Sequence, residues 1–212
     1  MDPAGTHRVR TAARLMVPAR SSDRGQVLPA EKEGLVDVPQ PAVERLVPFA
    51  GHPAVVGVVP GQPELVVRTA LAWAEASATS LHLAYVDPQR YVVEERPDGS
   101  VRHAPLDPDT SDEDWQAVER ELRTQVAKVL GTTRVRWTLH YLAGRPDRAL
   151  THLARAVDAA VIVVGTRAPG AGARMRELVE GSVAVHLAHH QHRPVLTVPL
   201  SVVDWSRTRS PW

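Results

Sequence analysis

The run Gly165-Thr166-Arg167-Ala168-Pro169-Gly170-Ala171-Gly172, followed at a distance by Gly181-Ser182, holds the residue types best suited to meeting an anion. Glycine lets a backbone approach a ligand closely. Gly181 stands inside a helical pattern, where glycine costs ~1 kcal/mol against alanine. Such a cost points either to a break at which Ser182 caps a new helix or to a backbone that something approaches closely. As an N-cap, Ser182 would leave free N–H groups and the positive end of a helix dipole facing the anion. Arg167, Arg174 and Arg176 flank the loop and either offer phosphates charge-assisted bonds or form a solvated face.

Covalent chemistry finds less support. Glu180-Gly181-Ser182-Val183-Ala184 lacks the flanking glycines of a nucleophile elbow, so Ser182 is read as a cap. No G-x-x-x-x-G-K-[ST] loop and no dinucleotide fingerprint after the first strand is present. No catalytic residue is expected. His186, His189, His190 and His192 are clustered, and His186 with His190 has the spacing to chelate a metal from one helix face. Neither Cys nor carboxylate joins them, and the helix end they occupy favours cations by the dipole alone, so no metal site is expected.

Composition narrows the partners. Among 212 residues, 25 Lys and Arg stand against 24 Asp and Glu, a net charge of +1, without the strong positive field of nucleic-acid binders. The absence of Cys removes disulfides, thiolate metal sites and thiol catalysis, and suits a reducing cytoplasm. The N-terminus lacks the apolar stretch of a secretory signal, and no run reaches the ~18 apolar residues of a membrane span. A soluble, cytoplasmic protein with no nucleic-acid or membrane partner is expected.

The elements that must position these residues follow from periodicity. Residues 1 to about 50 carry six prolines and no sustained pattern, which reads as a mostly disordered arm. Beyond it, β-branched runs alternate with helical patterns: strands at 53–59, 81–87, 134–142, 159–165 and 194–199, and helices opening near Glu64, Ser111 and Pro146 and again after the glycine loop. Pro97-Asp98-Gly99 between β-prone arms is turn chemistry for a hairpin outside this alternation. Trp73 and Trp115 fall on apolar helical faces and read as core. Five strands with crossover helices make an α/β domain over residues 51–200 built on an open, doubly wound, Rossmann-like parallel sheet, with residues 201–212 as a tail. Ligands bind such sheets beyond the carboxyl ends of the strands where the order reverses, here Val58-Val59-Pro60-Gly61-Gln62 and the Gly165 loop. The terminal segment from Pro194 to Pro199 is an apolar sheet edge that invites pairing, so a homodimer through this strand is expected.

The segments GRPDRALTHLARAVDAAVIVVGTR and GSVAVHLAHHQHRPVLTVP, together with the opening PAVVGVVPGQPELVVRTALAWA, resemble universal stress protein domains over roughly residues 53 to 199. The resemblance implies a five-stranded doubly wound sheet, pairing through last strands and, in many members, ATP bound by a motif of Gly, two residues, Gly, nine residues, Gly and then Ser or Thr. Gly165 matches the first Gly and Gly181-Ser182 the closing pair. Ala168 stands at the middle Gly, the loop is three residues longer than the motif, and Gly170 and Gly172 replace its flexibility without its register. Where ATP-binding relatives carry a pattern like Val-Asp-Gly-Ser after the first strand, this chain has Val59-Pro60-Gly61-Gln62. The implied contacts to ATP or a related adenine nucleotide, with magnesium only as its counterion, are Gly165, Thr166, Arg167, Gly170, Gly172, Gly181 and Ser182, with Val59 and Val86 at the ends of the first two strands. Three readings stay open: a non-catalytic regulatory module tuned by nucleotide, the same fold emptied of ligand as a dimeric scaffold, and an adenine-nucleotide hydrolase. The last is disfavoured because its Ser-Gly-Gly-type loop has no counterpart in Val58 to Gln62.

Overall fold

Runs such as Val55-Val56 and Ile162-Val163 are apolar at successive positions because successive side chains of a strand leave on opposite faces, and both faces of this sheet are covered. The computed structural model describes residues 42–109, 114–166 and 183–200, all within one unit that runs from Gln40 to Trp212. Its elements in chain order are β1 (Ala54–Gly57), α1 (Leu65–Ala76), β2 (Leu81–Asp87), β3 (Arg90–Glu95), β4 (Val101–Pro105), α2 (Asp114–Leu130), β5 (Trp137–Ala143), α3 (Pro146–Ala156), β6 (Val161–Gly165), α4 (Val183–His190) and β7 (Val195–Val198). A short turn of 3-10 helix, Val43–Arg45, precedes them.

Five strands form one parallel sheet in the order β5-β2-β1-β6-β7. The order reverses between β1 and β6, which makes their carboxyl ends the switch point. On one face, Val56, Leu83 and Val163 pack with Val66 of α1 and Leu122 and Val126 of α2. On the other, Val55, Ala84 and Ile162 pack with Leu150 and Leu153 of α3 and Leu187 of α4. The expected doubly wound architecture is therefore present, with β2 starting where its apolar run does and the other four strands starting one to three residues later than theirs.

Helix α3 starts with Pro146 in its first turn, where a missing N–H costs nothing. It ends at Ala156, and two residues on Asp158, at φ +50°, lets the Ala159 N–H reach back to the Ala154 carbonyl at 2.8 Å. Arg193, only 8% exposed, locks this corner: its Nε donates to the Ala159 carbonyl at 2.6 Å, and its guanidinium stands 3.6 Å from the Asp158 carboxylate.

The hairpin expected around Pro97-Asp98-Gly99 is β3–β4, an antiparallel pair with a bulge between Val92 and Glu94. Gly99 takes φ +79° at the turn, and Asp98 Oδ1 accepts from the Ser100 N–H at 3.0 Å and hydroxyl at 2.7 Å. The turn is docked on α3, since a Cβ on Gly99 would lie 2.6 Å from Leu153 Cδ1. Trp73 packs against the α1–α2 side of the core and meets Phe49 edge-on with ring centroids 6.0 Å apart. Trp115 differs from expectation. It is half-buried in a cluster with His103 of β4 and Tyr141 of β5, because the hairpin brings aromatic partners to a helix face that periodicity alone assigns to the core.

Candidate functional site at the β1–β6 switch point

Beyond β1 the chain turns tightly. The Gln62 N–H donates to the Val59 carbonyl at 3.2 Å, and the Gln62 side-chain carbonyl accepts from the Val59 N–H at 3.3 Å. Gln125 of α2 clamps the turn from outside, accepting from the Gly61 N–H at 3.0 Å and donating to the Gln62 carbonyl at 3.2 Å. Gly61, at φ +70°, is the residue type this turn needs. Gln125→Ala is expected to cost about 1 kcal/mol through the lost bonds, seen as a lowered urea midpoint with unchanged slope.

Beyond β6, Thr166 donates its N–H to the Val198 carbonyl at 2.8 Å and accepts at its hydroxyl oxygen from the Leu200 N–H, also at 2.8 Å. The chain after β7 is thereby folded over the end of β6. A Cβ on Gly165 would stand 2.8 Å from Leu200 Cδ1, 2.9 Å from Gln62 Nε2 and 3.0 Å from Val66 Cγ2. The switch point therefore brings Val59 and Gln62 of the loop after β1 beside Gly165 and Thr166, and adds Gln125 and Leu200, which the sequence did not single out. Val86 lies at the carboxyl end of β2, 8% exposed and packed on the α3 side of the core. Arg167, Gly170, Gly172, Gly181 and Ser182 lie outside the described residues.

In the described part of this site the Val59 N–H is bonded within the chain and the Thr166 hydroxyl oxygen accepts from the Leu200 N–H, and a ligand approaching Gly165 from the side where a Cβ would stand would have to displace the tips of Leu200 and Gln62.

Two other polar groupings lie beside the sheet. His82 of β2 and His140 of β5 share a hydrogen bond, Nδ1 to Nε2, at 3.0 Å, with rings stacked at 5.2 Å. Burial, and then the neighbouring His82, push His140 down to about 4 despite the nearby Asp98 carboxylate, which acts upward. Burial also lowers His82. The Tyr141 hydroxyl donates to Asp87 Oδ2 at 2.7 Å, and burial followed by that bond pushes its pKa up. His186 and His190, spaced for chelation, stack at 5.9 Å on α4, and no group of three or more potential metal ligands occurs among the described residues. No helix of the described residues is long and apolar enough to cross a membrane.

The universal stress protein family model matches residues 52–199. The chain belongs to the universal stress protein family. Its fold is that of a universal stress protein from Archaeoglobus fulgidus, 22% identical over 70% of this chain and 94% of that one, with a TM-score of 0.50. Also similar are the universal stress protein of the same organism in complex with dAMP (21% identity, 69% and 97% coverage, TM-score 0.48) and a universal stress protein in complex with cAMP (25% identity, 72% and 99% coverage, TM-score 0.44). No curated protein matches the chain.

Proposed function

We propose that this universal stress protein is a non-catalytic, cytoplasmic interaction module that works as a homodimer joined through β7 and whose switch point is closed by its own side chains. The observation that carries the reading is the cover over Gly165 by Leu200, Gln62 and Val66, together with the internal bonds of Thr166 and Val59. Departures in sequence agree with it: Pro60 where nucleotide-binding relatives carry Asp, Ala168 where they carry Gly, and the longer loop. For the dimer, β7 is the outer strand of the five-stranded sheet. Its residues are apolar apart from Thr197, and an edge of that kind is a template for another strand.

A second reading, binding of an adenine nucleotide at the same place, is favoured by one specific feature. Gly165 and the pair Gly181-Ser182 keep both ends of the nucleotide motif. Leu200 is then a gate, and truncating it should help the ligand.

The readings separate in a calorimetric titration of ligand-free protein with magnesium ATP. The closed module gives no saturable heat at millimolar ATP, about the 4 kcal/mol end of the affinity scale, and Leu200→Ala changes nothing. Micromolar binding that tightens in Leu200→Ala and vanishes in Gly181→Val would replace the first reading with the second. Light scattering across micromolar concentrations should return a dimer, and a monomer throughout would remove the β7 pairing.

A further inference from the structure

Between the hairpin and α3, on the far side of β1 and β2 from Gly165, lies a cleft of about 260 Å³. Its floor is apolar, built from Val101 of the hairpin, Leu142 of β5 and Leu153 of α3. The walls are held in place: the hairpin turn is locked on α3 at Gly99, and Glu95 reaches across to His152 at 3.4 Å. At the mouth, Arg145 is spoken for, since its guanidinium grips the Asp147 carboxylate through two nitrogens at 2.8 and 3.2 Å. Burial, the largest single influence, raises Asp147, but the bond and charge of Arg145, the Arg148 backbone N–H and the His186 charge together outweigh it and hold the carboxyl below its ordinary range.

Two cations remain. Arg96 lines the cleft from the hairpin and Arg148 from α3, and among the described residues neither guanidinium has a hydrogen bond or ion pair. The nearby Asp98 carboxylate attracts Arg96 through space but is itself bonded to Ser100. Two unpaired guanidiniums over an apolar floor are complementary to a molecule with an apolar body and an oxyanion head, because the guanidinium fork matches carboxylate and phosphate oxygens. Ligand pockets commonly run from about 300 to 1,000 Å³, so this cleft suits a body of about one ring.

We propose that the cleft between the β3–β4 hairpin and α3 binds a small organic anion, an apolar body of about one ring carrying a carboxylate or phosphate held by Arg96 and Arg148.

The test is a titration of the isotope-labelled full chain, followed by amide NMR, with phenyl phosphate, benzoate, benzyl alcohol and inorganic phosphate as probes. The amides of Gly99 and Gly144 should shift and saturate with phenyl phosphate or benzoate, while that of Gly165 stays fixed. The tighter of these two probes identifies the head group. Arg96→Gln and Arg148→Gln should each weaken binding about tenfold or more, as loss of one charge-assisted bond does. Both side chains are exposed, so the variants keep the spectrum of the folded protein. Benzyl alcohol, lacking the charge, and inorganic phosphate, lacking the ring, should each bind at least about tenfold more weakly than the better aromatic anion. Shifts that fail to saturate by about 10 mM of either aromatic anion, an Arg96→Gln/Arg148→Gln double variant that binds as the parent does, or equal binding of benzyl alcohol or inorganic phosphate would overturn the proposal.

Discussion

Gly165→Val is expected to lower the unfolding free energy by about 2–3 kcal/mol, the cost of forcing extra methyl groups into a filled space. The first added carbon already meets Leu200 Cδ1 at 2.8 Å, Gln62 Nε2 at 2.9 Å and Val66 Cγ2 at 3.0 Å, and valine brings two more carbons beyond it. Leu200 and Gln62 can swing their tips aside. Val66 cannot, because it is fully buried and stiff at χ1. Moving Gln62 also gives up its bond to the Val59 N–H, so the strain reaches the β1–α1 turn. The check is a urea titration: the midpoint should fall, and Leu200→Ala in the same chain should recover part of the loss by opening space. An unchanged midpoint would mean that Leu200 does not cover Gly165.

Acidification should weaken the fold through the pair of buried His140 and half-buried His82. The folded-state pKa of His140 is about 4 against an ordinary 6.5, so between these values the unfolded chain binds protons that the folded chain refuses. Stability is then complete above pH 6.5, declines as pH falls toward 4 and is level with respect to this group below that. At 1.36 kcal/mol per unit, the full loss is on the order of 3 kcal/mol, and His82, lowered by burial, adds in the same direction. Asp147, held below its ordinary carboxylate range, loses its contribution only at lower pH, so the decline from neutral pH to about pH 4.5 belongs to the histidines. Denaturant unfolding at the two pH values measures it. His140→Leu should flatten the dependence, whereas an equal slope in that variant would assign the effect elsewhere.

Fold and site were unequally legible in the sequence. The parallel sheet was legible because strands covered on both faces have to be apolar at consecutive positions, as Val55-Val56 and Ile162-Val163 are. The hairpin was legible because Asp98 and Gly99 have few uses outside a turn. Periodicity along α2 assigns Trp115 to the core, whereas its partners His103 and Tyr141 come from elements that periodicity within one helix cannot reveal. The switch point itself was found through Gly165 and the loop after β1. What covers it was not: Leu200 sits in a stretch that reads as an apolar strand end, and Gln125 looks like any polar residue of an amphipathic helix. His82 did leave a trace, since it interrupts an otherwise apolar strand, but its partner His140 belongs to a strand that pairs with it across more than fifty intervening residues. Pairings of that kind are set by topology.

The strand order also has a consequence for synthesis. The central strand β1 pairs on one side with β2, which follows it closely, and on the other with β6, which leaves the ribosome roughly a hundred residues later, a delay of about 5–20 s at 5–20 residues per second. During that interval the nascent chain can assemble β1, β2 and β5 but leaves one edge of the buried strand β1 bare. Closing so long a loop carries an entropic cost that only the completed β1–β6 ladder offsets. Until β6 is made, the β1 edge that it will cover has no partner strand, so this half of the sheet is completed only late in synthesis.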